Sequence, residues 1–170
     1  MKKILIPLLA VCALFSCTKE SLKDSTKISV RLTDAPTGVE EVNIDLLSVV
    51  IFTDEGKDSI DLETKAGIYN LLDYQNGLDT LIGSGDIQGD TLKQVRLVLG
   101  ENNSVKLEGV EELIPLTIPS GQSSGLKVKV NESIADLEAY VLTLDFDADK
   151  SLKITGNNQY KLHPVIKVLK

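Results

Sequence analysis

Tryptophan is missing from this chain, and three phenylalanines and four tyrosines bring the aromatics to only 4% of 170 residues. Stacking platforms for sugars or bases are built from such rings, so the composition argues against both ligands. Histidine occurs once, at His163, and no GxSxG, HExxH or phosphate-loop string is present. Neither a nucleophile elbow, a zinc helix nor a nucleotide cradle can be placed without them, and no enzyme is expected. Positive charge is in the minority: 18 Lys and Arg face 25 Asp and Glu, a formal net charge of -7. Affinity for nucleic acid comes from cations that neutralise phosphates, which excludes nucleic acid as a partner. Cysteine is scarce too, with only Cys12 and Cys17, both near the start. The fold therefore has to rely on packing rather than on disulfides.

What the chain does have at its start is a leader. Lys2 and Lys3 precede an apolar run from Ile4 to Phe15, and Leu14-Phe15-Ser16-Cys17 ends it. A charged segment followed by an apolar run of this length is the pattern of a signal peptide. A transmembrane helix needs about 20 predominantly apolar residues, whereas here Thr18-Lys19-Glu20 stops the run. The ending resembles a bacterial lipobox, in which the peptide is cut just before the cysteine and the cysteine carries acyl chains such as palmitate. That resemblance implies a signal peptide over residues 1–16 and a lipidated Cys17 in the bacterial cell envelope. The expected location is the outer membrane, with the periplasmic or surface face left open. Ordinary secretion with cleavage elsewhere is the rival reading.

One acyl chain holds a protein only marginally, at about 0.8 kcal/mol per buried methylene, so a stable anchor takes at least two. Residues 17–27 then form the lipidated cysteine and a polar tether, whose last ten residues reach at most about 36 Å. Cleavage would remove two lysines and no acid, moving the balance to 16 minus 25, or -9. An acidic domain is not drawn to anionic lipid, so the acyl chains are the expected membrane contact.

Residues 28–170 read as one β-sandwich domain, because apolar side chains recur with period two. Ile28, Val30 and Leu32 share one face of a first strand, closed by the turn residues Asp34 to Gly38. Val42, Ile44, Leu46, Val50 and Phe52 continue the alternation in a long second strand, whose half from Leu47 to Ile51 is apolar on both faces and is expected to be covered on both sides. Asn76-Gly77 marks a turn, since both residues tolerate positive φ, and a helical turn around Leu71 to Tyr74 is an alternative there. Leu92 to Leu99 places Arg96 outward, as a rim residue in preference to an anion ligand. Further strands are expected over Ser104 to Leu107, Glu112 to Ile118, Leu126 to Val130, Tyr140 to Phe146 and Tyr160 to Val168. Pro164 cannot donate a ladder bond, which puts the last strand at an edge or a bulge, with His163 beside it as an outward residue on an edge strand. Roughly ten short strands without a sustained helical period predict an all-β, antiparallel sandwich, immunoglobulin-like or transthyretin-like.

Three strings, Val30 to Pro36 (VRLTDAP), Ile118 to Lys127 (IPSGQSSGLK) and Leu144 to Ser151 (LDFDADKS), lead in order to Tyr160-Lys161-Leu162-His163-Pro164. Together they resemble the lipoprotein family catalogued as domain of unknown function 4382. The resemblance implies a single β-sandwich, usually behind a lipoprotein signal, with no established activity.

Two places in this expected sandwich are candidate sites. Asp145, Asp147 and Asp149 would line one strand face, and carboxylates at alternating positions suit a hard cation such as calcium. DFDADK lacks the glycine of a calcium loop, and the simpler reading is a solvated strand end paired with Lys150 and Lys153. No other cofactor is expected. The loop from Pro119 to Gly125 offers adaptable hydrogen bonding on a rigid scaffold, although the simpler reading is a plain connection. Asp24-Ser25-Thr26, Asp58-Ser59-Ile60, Asp79-Thr80-Leu81 and Asp90-Thr91-Leu92 resemble a short acceptor for protein O-glycosylation, with the first exposed in the tether. The function expected is that of a lipid-anchored, non-enzymatic binding or assembly module whose partner is an envelope protein or glycan. The alternative is a structural subunit of a surface or pilus-like polymer, built by strand addition.

Overall fold

A strand whose apolar residues fall at every second position can bury one pleated face whole. The computed structural model describes residues 25–34, 38–55, 59–119, 125–156 and 159–169. The leader, Cys17, the tether up to Asp24 and the centre of the 119–125 loop lie outside the described residues. In β1 (Thr26–Asp34) Ile28, Val30 and Leu32 are fully buried and Lys27 is exposed. The strand thus takes in Thr26 and Lys27, the last two residues of the expected tether.

The elements that follow are β2 (Glu41–Thr53), β3 (Ile60–Asp61), β4 (Glu63–Thr64), β5 (Gly67–Asn70), a 3-10 turn (Leu71–Tyr74), β6 (Thr80–Ile87), β7 (Thr91–Leu99), β8 (Ser104–Lys106) and β9 (Ile114–Thr117). Then come β10 (Leu126–Ser133), β11 (Ala139–Phe146), the single helical turn α1 (Ala148–Ser151), β12 (Leu152–Ile154), β13 (Tyr160–Leu162) and β14 (Ile166–Leu169). One sheet has the order β14-β11-β1-β6-β4. The other runs β10-β7-β2-β8-β9-β13-β12, with β3 and β5 also paired to β2. Their inner faces meet in one core, where Val30, Leu32, Leu142, Leu144 and Phe146 of the first sheet join Ile44, Val49, Ile51, Val95 and Leu97 of the second. Each such side chain, fully buried, contributes about 1.5–3 kcal/mol of hydrophobic stabilisation.

The all-β sandwich is as expected, but its sheets are mixed and not purely antiparallel. β1 runs parallel to β11 over its length, from Lys27↔Ala139 to Asp34↔Phe146, and β13 runs parallel to β9 through Tyr160↔Leu116. Alternation records which face of a strand is buried and says nothing of its neighbour's direction. Direction is dictated locally only where a short hairpin joins the pair.

The long second strand changes phase midway. Val42, Ile44 and Leu46 are fully buried, then the register with β7 slips between Leu46 and Ser48, and Leu47 is 50% exposed. One extra residue in a bulge turns every later side chain to the opposite face. Val49 and Ile51 therefore enter the core, and Val50 and Phe52 stand on the outer face. The expected cover on both sides holds for Val49 to Ile51, all buried, and fails at Leu47.

The turn signals hold locally, while distant contacts set which strands pair around them. Asn76 and Gly77 do adopt positive φ, 57° and 85°. The turn they form follows a 3-10 turn over Leu71–Tyr74, the helical alternative for that stretch, and β5 pairs with β2 and not with β6. Pro164 splits the expected last strand in two: β13 belongs to the larger sheet and β14 is the edge of the smaller one. A residue without an N–H suits the crossing point between sheets, where no ladder bond is required. His163 is exposed as expected but is not on an edge strand, since it follows β13, which lies between β9 and β12.

Candidate functional site

Parallel pairing brings the carboxyl ends of β1 and β11 side by side, so that Leu32-Thr33-Asp34 and the string LDFDADKS meet at one end of the smaller sheet. Asp34 ends β1 opposite Phe146 and is buried. Its Oδ1 accepts from Ala148 N at 2.9 Å, and its Oδ2 from Gln75 Nε2 at 3.4 Å. The neighbouring Thr33 hydroxyl lies 2.7 Å from both the Tyr74 and Leu78 carbonyls and can donate to either. The end of β1 is thereby tied to the 3-10 turn and to α1.

Asp147 is the centre of this knot. It is 3% exposed and caps α1, its Oδ1 accepting from Lys150 N at 3.1 Å. Lys150 also bonds Asp147 Oδ2 through its ammonium group, and Lys167 Nζ lies 3.9 Å from the same oxygen. The hydrogen bond from the Lys150 side chain, followed by that from its backbone N–H, holds the Asp147 carboxyl below the ordinary carboxylate range. Ser151 completes the arrangement. Its hydroxyl donates to Asp147 O at 2.6 Å and accepts from Val165 N at 2.9 Å, and its carbonyl accepts from His163 N at 2.8 Å.

This geometry differs from the strand face on which the calcium reading rested. β11 stops at Phe146, where Asp147 turns inward as a helix cap; Asp145 remains on the strand and Asp149 is exposed on α1. An aspartate at an N-cap position satisfies an otherwise orphaned amide, which here outweighs continued alternation. The three carboxylates are not brought to one point, and among the described residues no group of three or more His, Cys, Asp or Glu side chains is placed to hold a metal ion. Of the two anticipated partners, Lys150 pairs with Asp147, and Lys153 is in β12.

For the other candidate, the described ends of the 119–125 loop are Pro119, exposed, and Gly125, buried. Gly125 has φ +69°, and a Cβ there would lie 2.7 Å from Arg96 Cγ. Arg96 itself faces outward from β7, its guanidinium carbon 4.6 Å from the centroid of the Phe52 ring. Period-two reading found the direction of Arg96 and missed its contact, because Phe52 reaches the outer face only through the bulge at Leu47. Among the glycosylation-like tripeptides, Ser25 and Ser59 are exposed, while Thr80 and Thr91 are half-buried strand residues and Thr26 is buried.

A family model described as domain of unknown function (DUF4382) matches residues 25–164. The chain belongs to this family. The matched span opens just before β1 and closes at Pro164, so it contains Asp34, Asp147 and every strand but β14. No curated protein and no solved structure matches the chain.

Proposed function

We propose that this DUF4382 protein is a lipid-anchored, non-enzymatic module of the bacterial envelope that binds or assembles with another envelope component. The observation that carries the reading is the leader: an apolar run ending in Leu14-Phe15-Ser16-Cys17 and followed by polar residues up to the first strand at Thr26. An acylated Cys17 would hold the sandwich at the outer membrane on a tether of eight residues, 18–25. The polar groups at the end of the smaller sheet support a non-catalytic reading, because Asp34, Asp147 and Ser151 are engaged with backbone amides, carbonyls and a lysine in the fold itself.

A polymer built by strand addition is less well supported. β10 ends the order of the larger sheet, but it carries Lys127 and Lys129 and is bulged between Lys129 and Glu132. Charged residues and bulges are the devices that protect an edge from pairing. The anchor is tested by detergent phase partitioning of the full chain expressed with radiolabelled palmitate. The native chain should carry label and enter the detergent phase, and Cys17→Ala should be unlabelled and either uncleaved or miscut. Equal labelling of the two would end the proposal.

A further inference from the structure

Three cations share the outer face of the larger sheet. Arg96 of β7 and Lys127 of β10 are register partners, and Lys129 stands opposite Gln94, one position along the same face. The flanking pairs Leu97↔Leu126 and Val95↔Val128 are buried, so Arg96, Lys127 and Lys129 point away from the core. Like charges directly opposed across a strand pair are destabilising. Among the described residues, none of the three has an ion pair or hydrogen bond to relieve that repulsion. The acid in the same cross-strand row is Asp61 of β3, with Val50 between it and Arg96.

A second observation falls at the same place. Arg96 Nε is buried without a hydrogen-bond partner, the only such side-chain atom among the described residues. A charged donor taken out of water without an acceptor is an uncompensated cost. The side chain is nonetheless held firmly, between the Phe52 ring and Gly125, whose positive φ and closeness to Arg96 Cγ leave no room for another residue. A guanidinium fixed in this way loses little freedom when it takes a ligand.

We propose that Arg96, Lys127 and Lys129 form a phosphate-binding face, in which the guanidinium fork bonds two phosphate oxygens and the lysines neutralise the remaining charge. A phosphate monoester carries close to two negative charges at neutral pH and matches three cations better than a carboxylate does. The phosphate can belong to a soluble molecule or to a lipid headgroup. This gives the binding module above its ligand chemistry and rests on that reading, whose own test, at Cys17, is independent.

The chain has two arginines, Arg31 and Arg96. Arg31 is already paired with Asp79. Arginine-selective ¹⁵N labelling of the full chain in zwitterionic detergent therefore yields two Nε–H resonances, one of them a control for folding and for general screening. Inorganic phosphate, titrated at constant ionic strength, is expected to move the Arg96 resonance saturably and to leave Arg31 in place. Short-chain phosphatidic acid is the second arm: a response to it alone assigns a lipid headgroup, and a response to inorganic phosphate assigns a soluble one. The double variant Lys127→Gln, Lys129→Gln should weaken the midpoint by about tenfold or more with Arg31 unmoved. Saturation in neither arm, equal movement of both arginines, or an unchanged midpoint in the double variant would overturn the proposal.

Discussion

Asp147 shows how one side chain can look like a ligand in the sequence and serve as a cap in the fold. Its carboxylate satisfies the Lys150 amide and is paired with the Lys150 ammonium. Asp147→Ala should therefore lower the unfolding free energy by about 0.5–2 kcal/mol through loss of the cap. Asp147→Asn keeps an acceptor oxygen and loses only the charge. Because the folded pKa is depressed, the ionic contribution is fully present above the ordinary carboxylate value of about 4 and disappears as pH falls through the lower folded value. Urea midpoints of the native chain and Asp147→Asn should differ by a constant amount from pH 7 to 5 and converge below pH of about 4. A gap unchanged in acid would mean that the ion pair with Lys150 contributes nothing. The capping signal was present in Asp147-Ala148-Asp149-Lys150, with an acid in the first turn and a base in the last. Alternation obscured it, because the same three aspartates also fall at strand spacing.

At the level of elements, the strands that carry a two-residue period, β1, β11 and β7 from Val95 onward, were legible to within a residue or two. The long strand β2 was legible in extent and misread in phase. Leu46 and Leu47 are both apolar, so nothing in the residues themselves marks which one is the extra residue of the bulge. The structure makes a distinction that mutation can check. Leu47→Ser, at an exposed bulge position, should change stability by no more than about 0.5 kcal/mol. Ile51→Ala, at a fully buried site, should cost about 2–5 kcal/mol. Equal effects by thermal or urea unfolding would place the phase change elsewhere. Pro164 is incompatible with a ladder on its chemistry alone, but a sequence cannot show that the chain leaves one sheet there and joins another. Short pieces such as β3, β4 and β12, of two or three residues, fall below the length at which a period can be counted.

For the whole molecule, the sandwich was legible because burial of one face per strand is a local property, whereas sheet membership and strand direction are settled by contacts between distant segments. The same limit hid both the meeting of Asp34 with Ala148 and that of Arg96 with Phe52. The parallel pairing of β1 with β11 has a mechanical consequence as well. β1 lies inside its sheet, between β11 and β6, and the chain enters it at Thr26. A pull applied at that entry runs along the strand axis and loads the bonds to both neighbours together, in shear. A pull at residue 169 meets β14, a four-residue edge strand bonded on one side, which has fewer bonds to share the load. Single-molecule stretching should therefore show a higher rupture force when the handle is at residue 25 and the second at an internal loop than when it is at residue 169, and similar forces would contradict the strand order. A protein tied to a surface by its amino-terminal end would thus carry tension through a strand bonded on both sides, and β14 could yield first without releasing the tie.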